Sequence, residues 1–378
     1  MPENVLITGG AGFIGSALAR RLVGAGHRVT ILDSLVAQVH GERPEQTSVL
    51  MRSVVGIADV RVGTVTSEDD LRGALADATV VVHLAAETGT GQSMYEIDRY
   101  VQANIGGTGK LLDLLANEPH SVRRVVIASS RSVYGEGAYR TADGSTVFPP
   151  HRSSAAMEAG DFDVHVTPGD ALTLIPTPET ALLHPSSVYG ITKQAQEALI
   201  MTAAPTLGVE SVALRYQNVY GPGQSLKNPY TGILSIFSTL IRRGKEINIF
   251  EDGLESRDFI YIDDVVEATF LACVDPRADG HTFNVGSGVQ TTVREVVDAL
   301  FRAFESEVPV TVSGRFRLGD IRHNVADTSR IRDVLGFRAA VPFEQGIRRF
   351  AEWVLTQPLE ADGYERSLAE MAEHKLLK

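Results

Sequence analysis

The sequence predicts a doubly wound parallel α/β sheet followed by a smaller C-terminal α/β lobe. Three observations carry this. Short, continuous apolar runs alternate with amphipathic helical stretches through the first half of the chain. A glycine-rich turn, Gly9-Gly10-Ala11-Gly12 with Gly15 beyond it, joins the first apolar run to the first helical stretch. An aspartate, Asp33, closes the second apolar run. Strands without polar alternation are buried on both faces, as in a parallel sheet covered by helices. Right-handed crossovers then wind the chain to both sides of the first strand.

Taken in order, Val5-Leu6-Ile7-Thr8 is the first strand, and Ile14, Ala17, Leu18 and Leu22 stripe the helix after it. Val29 to Asp33 is the second strand. Further strands lie within 79–84 and at 125–127, with helices at about 71–75 and 94–115 between them. Residues 136–187 break the alternation. They are rich in Pro, Gly, Ser, Thr and Ala and read as a long surface excursion with little regular structure. A helix over 187–203 and a strand at 211–214 resume the pattern. The chain is then loop-rich through Tyr220-Gly221-Pro222-Gly223 to Tyr230. A strand at 259–262, a helix from Asp263 and a strand at 281–285 follow, and the tail, 360–378, is polar with a helical pattern. Residues 1–214 are therefore expected to form the first domain, with 136–187 inserted in it. Residues 215–378 form the second, with 247–286 returning to the first.

Composition narrows the function. The chain has 378 residues, 43% of them hydrophobic and 22% charged, the profile of a globular protein. Its net charge of −12 opposes nucleic acid and anionic membrane, and Arg123-Arg124 and Arg242-Arg243 are isolated pairs, not a basic patch. A single cysteine, Cys273, rules out an internal disulfide and a thiolate metal cluster and reads as a small buried hydrophobe. Met-Pro-Glu-Asn runs straight into the first strand with no signal-peptide pattern, and no apolar run approaches about 18 residues. A cytoplasmic protein without metal is expected.

The glycine turn carries the first chemistry. Gly10-Ala11-Gly12-Phe13-Ile14-Gly15 fits G-x-G-x-x-G, and Gly9, Gly12 and Gly15 form a ladder. Such glycines let backbone N–H groups approach a pyrophosphate at a helix N-terminus, where the dipole favours negative charge. A plain strand–turn–helix corner has the same spelling, so context decides. Asp33 stands 18 residues past Gly15, at the end of the next strand, where a carboxylate can accept both ribose hydroxyls. It would repel a 2′-phosphate, and no arginine follows closely. NAD in a Rossmann-type site is expected, held by Gly9, Gly12, Phe13, Ile14, Gly15 and Asp33.

Tyr189 and Lys193 form Y-x-x-x-K on one face of a helix. A phenol near pKa 10 is a poor base at neutrality, and an adjacent ammonium stabilises the phenolate. The pair alone also describes a chance spacing. Ser129-Ser130 follows the 125–127 strand at the carboxyl edge of the sheet, where ligands of such folds bind and where a hydroxyl could donate to a forming carbonyl.

Together these pieces resemble the extended short-chain dehydrogenase/reductase family, over nearly the whole chain. The carrying stretches are Thr8 to Gly15, His83-Leu84-Ala85-Ala86, Asn104 with Gly107-Thr108, Ser129 to Gly135, and Tyr189-Gly190-Ile191-Thr192-Lys193. The resemblance implies Ser130, Tyr189 and Lys193 as catalytic residues, and Leu84, Ala85, Ala86 and Asn104, with Tyr189 and Lys193, on the cofactor. Arg215-Tyr216-Gln217-Asn218-Val219-Tyr220-Gly221-Pro222 is similar to the family's strand-to-loop segment. It implies Asn218, Arg257, Arg317 and Asp320 as contacts to the diphosphate and nucleoside, with Thr90 and Ser132 also on the substrate. Arginine suits phosphate because its fork donates in pairs. Within the family, 89–96, the insertion and 216–230 are most similar to a subset acting as dTDP-L-rhamnose 4-epimerases.

There are departures. Thr64 follows Gly63 where the family often has an adenine-contacting aspartate. Thr167-Pro168-Gly169-Asp170 stands where related insertions carry a Cys-Pro-x-Cys knuckle. Arg131 and Ser132 stand where sugar 4,6-dehydratases carry an Asp-Glu pair for eliminating water. The resemblance therefore implies redox-neutral 4-epimerisation of a nucleotide-diphosphate sugar by a homodimer. A nucleotide-sugar ketoreductase or dehydrogenase, a nucleotide-uronate decarboxylase and a non-catalytic NAD-binding scaffold remain as alternatives.

Overall fold

A computed structural model describes residues 2–167, 169–228, 232–359 and 364–378. Tyr230, Pro168 and the first residues of the polar tail from Glu360 lie outside the described residues.

The main sheet is built from β1 (Asn4–Thr8), β2 (Arg28–Asp33), β3 (Asp59–Val62), β4 (Val80–His83) and β5 (Arg124–Ser130) in the first part of the chain. Three short strands of the insertion follow: β6 (Tyr139–Arg140), β7 (Thr146–Val147) and β8 (Thr173–Leu174). The chain continues with β9 (Glu210–Tyr216), β10 (Asn218–Tyr220), β11 (Ile247–Ile249), β12 (Ser256–Tyr261), β13 (Thr282–Val285), β14 (Gln290–Thr292) and β15 (Val310–Val312). The main sheet has seven parallel strands in the order β13-β9-β5-β4-β1-β2-β3. Its direction of winding reverses between β1 and β4. A crevice opens there, outside the carboxyl ends of the strands.

Alternate residues of each strand feed two cores. Val5 and Ile7 of β1, with Val80, Val82 and Val126, face one helical layer. Leu6, Val81, Val125 and Ile127 face the other. That two-sided burial is why these strands read as unbroken apolar runs, and each such side chain contributes roughly 1.5–3 kcal/mol. Cys273 is buried in the first core, its thiol pushed up to about 12 by burial. Arg124, fully buried, donates to the carbonyls of Ala272, Cys273 and Asp275 at the end of helix Ile262–Val274.

Within 247–286, β13 joins the main sheet beside β9, whereas β11 pairs with β15 and β12 with β10 and β14 in small sheets. The helical stretch expected over 94–115 is built from Ile97–Tyr100, a π-helical turn Val101–Gly106, and Gly107–Asn117. The helix expected over 187–203 is Val188–Thr206, its N-terminus capped by the Ser187 hydroxyl accepting from Gly190 N–H.

The insertion has little regular structure, as expected, but it is not confined to the surface. Strands β7-β6-β8 form a sheet, Ser154–Glu158 is helical, and Ala138, Tyr139, Met157, Thr177 and Ala181 are buried. Buried charges explain this, and composition does not reveal them. Arg152 pairs with Glu136 at 3.2 Å and with Glu251 at 2.8 Å, and Arg322 joins Glu251 at 3.1 Å and Asp252 at 2.7 Å. Glu251 is held at a left-handed φ of 48°, a strain of about 1–3 kcal/mol that the two arginines over-determine. His165 bridges Asp161 and Asp170, both at 3.2 Å, where related insertions would carry the cysteine knuckle. Among the described residues no cluster fit for a metal ion occurs, and no helix is long and apolar enough to cross a membrane.

Candidate active site

The glycine turn lies at the β1 end of the crevice. Gly9 has φ 71°, and a Cβ there would sit 2.9 Å from the Ala85 nitrogen. A Cβ on Gly15 would sit 2.6 Å from the Gly10 Cα. The glycines are thus required by close backbone approach as well as by the turn. Helix Phe13–Gly24 starts at Gly12 with no side-chain cap and no acid in its first turn, so its leading N–H groups are available to an anion. Phe13 and Ile14 pack on the core behind it. Asp33 accepts from Ala11 N–H and Leu35 N–H, both at 2.9 Å, which orients its carboxylate across the turn. This cradle fits the pyrophosphate and ribose of a dinucleotide. Thr64 N–H donates to Asp70, so a carboxylate of the next helix lies beside the end of β3.

The β4 end forms the opposite wall. Leu84 N–H donates to the Thr8 carbonyl and Ala85 N–H to the Thr8 hydroxyl, and Ala86 leads into Glu87. Asn104, fully buried in the π-helical turn, accepts from Glu87 N–H at 2.7 Å and donates to the Glu87 carbonyl and to Thr192.

Behind this wall runs a buried chain of hydrogen bonds. Lys193 Nζ donates to Gln196 Oε1 at 2.8 Å, and Gln196 Nε2 donates to the Thr108 hydroxyl at 2.9 Å. Thr108 gives its own proton to the Asn104 carbonyl, so it must accept from His83 Nε2 at 3.0 Å. His83 Nδ1 is then the acceptor toward Thr8 at 2.8 Å. Burial, with the Lys193 charge, brings His83 down to about 3, so it is neutral. Burial brings Lys193 down to about 7, against the pull of Glu197. Gln196 and Thr108 thus tie Lys193 to the end of β1.

Ser130 and Tyr189 meet in front. The Ser130 hydroxyl caps the turn Arg131–Val133, accepting from Ser132 N–H at 3.2 Å and from the Ser132 hydroxyl at 2.9 Å. Both of its lone pairs are filled, so its own proton is left to donate forward. Burial raises Tyr189, while the hydrogen bond with Ser130 and the charge of Arg131 pull it back. The sequence points to Lys193 as the cation beside this phenol. In the structure Lys193 Nζ is turned to Gln196, and the charge acting on the phenol is Arg131, a position that the sequence marks only by its lack of a carboxylate.

The expected substrate positions flank this pair. Thr90 is fixed through its carbonyl by the Ser93 hydroxyl, which also accepts from Tyr189 N–H at 3.0 Å. A lone serine in a short helix carries no spacing signal, so the sequence does not mark Ser93. Asn218 starts β10 with its side-chain oxygen buried and unpartnered. Arg257 donates to the carbonyls of Ser256, Ile321 and Arg322. Arg317 and Asp320 form a pair at 2.8 Å. Arg215, at the end of β9, forks onto Glu197 at 2.5 and 3.0 Å, and Glu197 accepts from Ser129 at 2.5 Å. This support, too, is invisible to spacing.

The arrangement places a hydrogen-bond donor and a phenol in front of a dinucleotide cradle, with arginines at the far side. The model for the NAD dependent epimerase/dehydratase family matches residues 5–157 and 165–286. The dTDP-L-rhamnose 4-epimerase of Burkholderia thailandensis is 37% identical over 355 residues, 93% of this chain and 95% of that one. The Thermotoga maritima UDP-glucose 4-epimerase, solved with UDP-glucose, is 29% identical with a TM-score of 0.73, covering 93% of this chain and 98% of that one. The Thermus thermophilus UDP-glucose 4-epimerase, solved with NAD, is 26% identical with a TM-score of 0.74, covering 94% and 100%.

Proposed function

The chain belongs to the NAD dependent epimerase/dehydratase family, and on that premise we propose that it inverts C4 of a nucleotide-diphosphate sugar, of the dTDP-L-rhamnose or UDP-hexose type, through a transient 4-keto sugar. The observation that carries this is the pairing of Ser130 and Tyr189 in front of the cofactor cradle, with Arg131 and Ser132, not carboxylates, beside them. An elimination of water would need an acid and a base there. Glu136, the next carboxylate in the sequence, is held by Arg152 and by Arg322 N–H.

Bound NAD would supply a reversible hydride acceptor for C4. Gly9, Gly12, Phe13, Ile14, Gly15 and Asp33 would hold its adenosine diphosphate end, and Leu84, Ala85, Ala86 and Asn104 would line its other end. Tyr189, as phenolate, takes the proton of the C4 hydroxyl and later returns it. Ser130 donates to the same oxygen as it becomes a carbonyl. Lys193, with a partner already in Gln196, would orient the cofactor ribose. Thr90 and Ser132 face the sugar, while Asn218, Arg257, Arg317 and Asp320 hold the nucleotide diphosphate. Remote binding energy of that kind retains the ligand while the sugar turns.

The test is to incubate the NAD-loaded protein with dTDP-L-rhamnose and with UDP-glucose, without reductant, and follow the sugar H4 couplings by NMR. A 4-epimer approaching equilibrium without net change in nicotinamide absorbance is expected. Product only with added NADH or NADPH and a keto-sugar would make it a reductase, and CO₂ release from a nucleotide-uronate would make it a decarboxylase. The same reading includes self-association through the paired helical stretches 97–117 and 188–206. Ile97, Val101 and Ile191 are exposed there at 52%, 36% and 52%, and Ile191→Glu should yield a monomer in sedimentation.

A further inference from the structure

Three arginines stand about the 317–322 segment, Arg131 acting on both Asp320 and Tyr189, and the other two already have partners. Arg257 donates to three backbone carbonyls, those of Ser256, Ile321 and Arg322. Arg317 is held by Asp320 at 2.8 Å. The Arg131 guanidinium makes no hydrogen bond and no ion pair with the described residues. It opens the turn Arg131–Val133 directly after Ser130, and its side chain is half-buried.

The charged and titratable groups around Arg131 are Arg257, Asp320, Tyr189 and Asp258. Asp258 is saturated: its two oxygens accept from Ser287 N–H and hydroxyl, from Gly288 N–H and from Ala326 N–H. Asp320 is shared with Arg317. Two guanidinium groups, Arg131 and Arg257, therefore stand near each other with no anion of the protein dedicated to them. Burial, and then the Arg257 charge, brings Arg131 down to about 9. Like charges withdrawn from water are costly unless a counter-charge arrives. A neutral sugar hydroxyl supplies none, whereas a phosphate does, and a guanidinium fork matches its oxygens.

We propose that Arg131 is a substrate-binding residue that grips the sugar-linked phosphate of the nucleotide diphosphate, forming with Arg257 a clamp beside Tyr189 and Ser130. This rests on the nucleotide-sugar reading above and deepens it. The clamp fixes the phosphate to which the sugar is joined, so the sugar can turn about that linkage while its anchor stays still. It also explains why a cation occupies a position next to the reacting hydroxyl.

The experiment is calorimetric titration of NAD-loaded wild type, Arg131→Gln and Arg131→Lys with dTDP-L-rhamnose, dTDP and dTMP, and with UDP-glucose, UDP, UMP and UDP-glucuronate. Melting temperature and NAD content serve as folding controls. Wild type is titrated first: if it binds none of the sugar nucleotides, the nucleotide-sugar reading fails and the inference falls with it. If wild type binds, Arg131→Gln is expected to weaken diphosphates, with or without sugar, by roughly tenfold or more. The monophosphates should stay within about twofold, and Arg131→Lys should recover part of the loss, as a point charge without the fork. No loss, a loss confined to sugar-bearing ligands, or a loss confined to UDP-glucuronate would each overturn the phosphate assignment.

Discussion

Tyr189 is raised by burial and pulled back by the Ser130 hydrogen bond and the Arg131 charge, so its ionisation depends on side chains far away in sequence. On the proposed mechanism Tyr189→Phe removes the proton acceptor, and helix Val188–Thr206 is expected to keep its fold. Epimerisation should fall by about 10²–10⁴-fold, with NAD content and nucleotide-sugar affinity retained, as read by NMR turnover and calorimetry. His83 gives a second prediction. Burial holds it down to about 3 in the folded protein, against about 6.5 in an unfolded chain. Between those values the unfolded chain binds a proton that the folded one does not. Stability is therefore complete above about pH 6.5 and is lost as pH falls toward 3. His83→Gln keeps hydrogen-bonding capacity but not the titration, so its melting temperature should drop less between pH 7 and 5 than that of wild type. Parallel profiles in scanning calorimetry would sink the idea. Tyr189, Lys193 and Ser130 stand out in the sequence as candidates because their spacing and their place after a strand are local. Arg131's role does not, because an arginine's partners are read only from what surrounds it.

The insertion shows the same division at the level of elements. Its Gly- and Pro-rich composition reads as loop, yet Arg152 ties it to the C-terminal lobe through Glu251 and donates to the Asp320 carbonyl at 3.0 Å. Ser186, at its end, donates to the Gly319 carbonyl at 2.7 Å. Both contacts set the turn that presents Arg317 and Asp320. Arg152→Met would leave Glu136 buried without its ion-pair partner and Glu251 with Arg322 alone. A loss of about 3–5 kcal/mol in urea unfolding is expected, since breaking one side of a buried ion pair strands the other. In protein that still folds, KM for the nucleotide sugar should rise by roughly tenfold with NAD content unchanged, because small misplacements of binding groups are amplified. An equal loss of NAD would instead mean general loosening.

Across the whole molecule, the C-terminal tail closes the assembly. Phe316 N–H donates to the Lys378 carbonyl at 2.9 Å, Lys378 N–H returns to Phe316 at 3.0 Å, and Leu318 N–H donates to Leu376. The helix Tyr364–Glu373 reaches the other side of the cleft, where His374, just beyond it, stacks on Tyr95 at 4.3 Å and Met371 packs on Gly91. Lys378 Nζ donates to Ser154 of the insertion at 3.0 Å. The tail thus touches the 89–95 segment, the 316–318 segment and the insertion together. Ending the chain at Leu359 should raise KM for the nucleotide sugar by roughly tenfold through both flanks, with NAD retention unchanged. Steady-state kinetics alongside bound-NAD absorbance would check it, and an unchanged KM would show the tail to be a passive cover.

The sequence by itself determined the doubly wound sheet and the NAD-binding character of the glycine turn, and it put forward Ser130, Tyr189 and Lys193 as candidates. Strand burial, glycine turns and i, i+4 pairs are local in the chain, so they are written in its local order. Tertiary structure alone decided which cation acts on Tyr189, how Lys193 is tied to the end of β1, and that a loop-like insertion and a polar tail hold the 316–320 segment. Those depend on charges and hydrogen bonds between residues distant in the chain, such as Arg152 with Glu251 and Leu318 with Leu376. Their energies exist only once folding has removed the water between them.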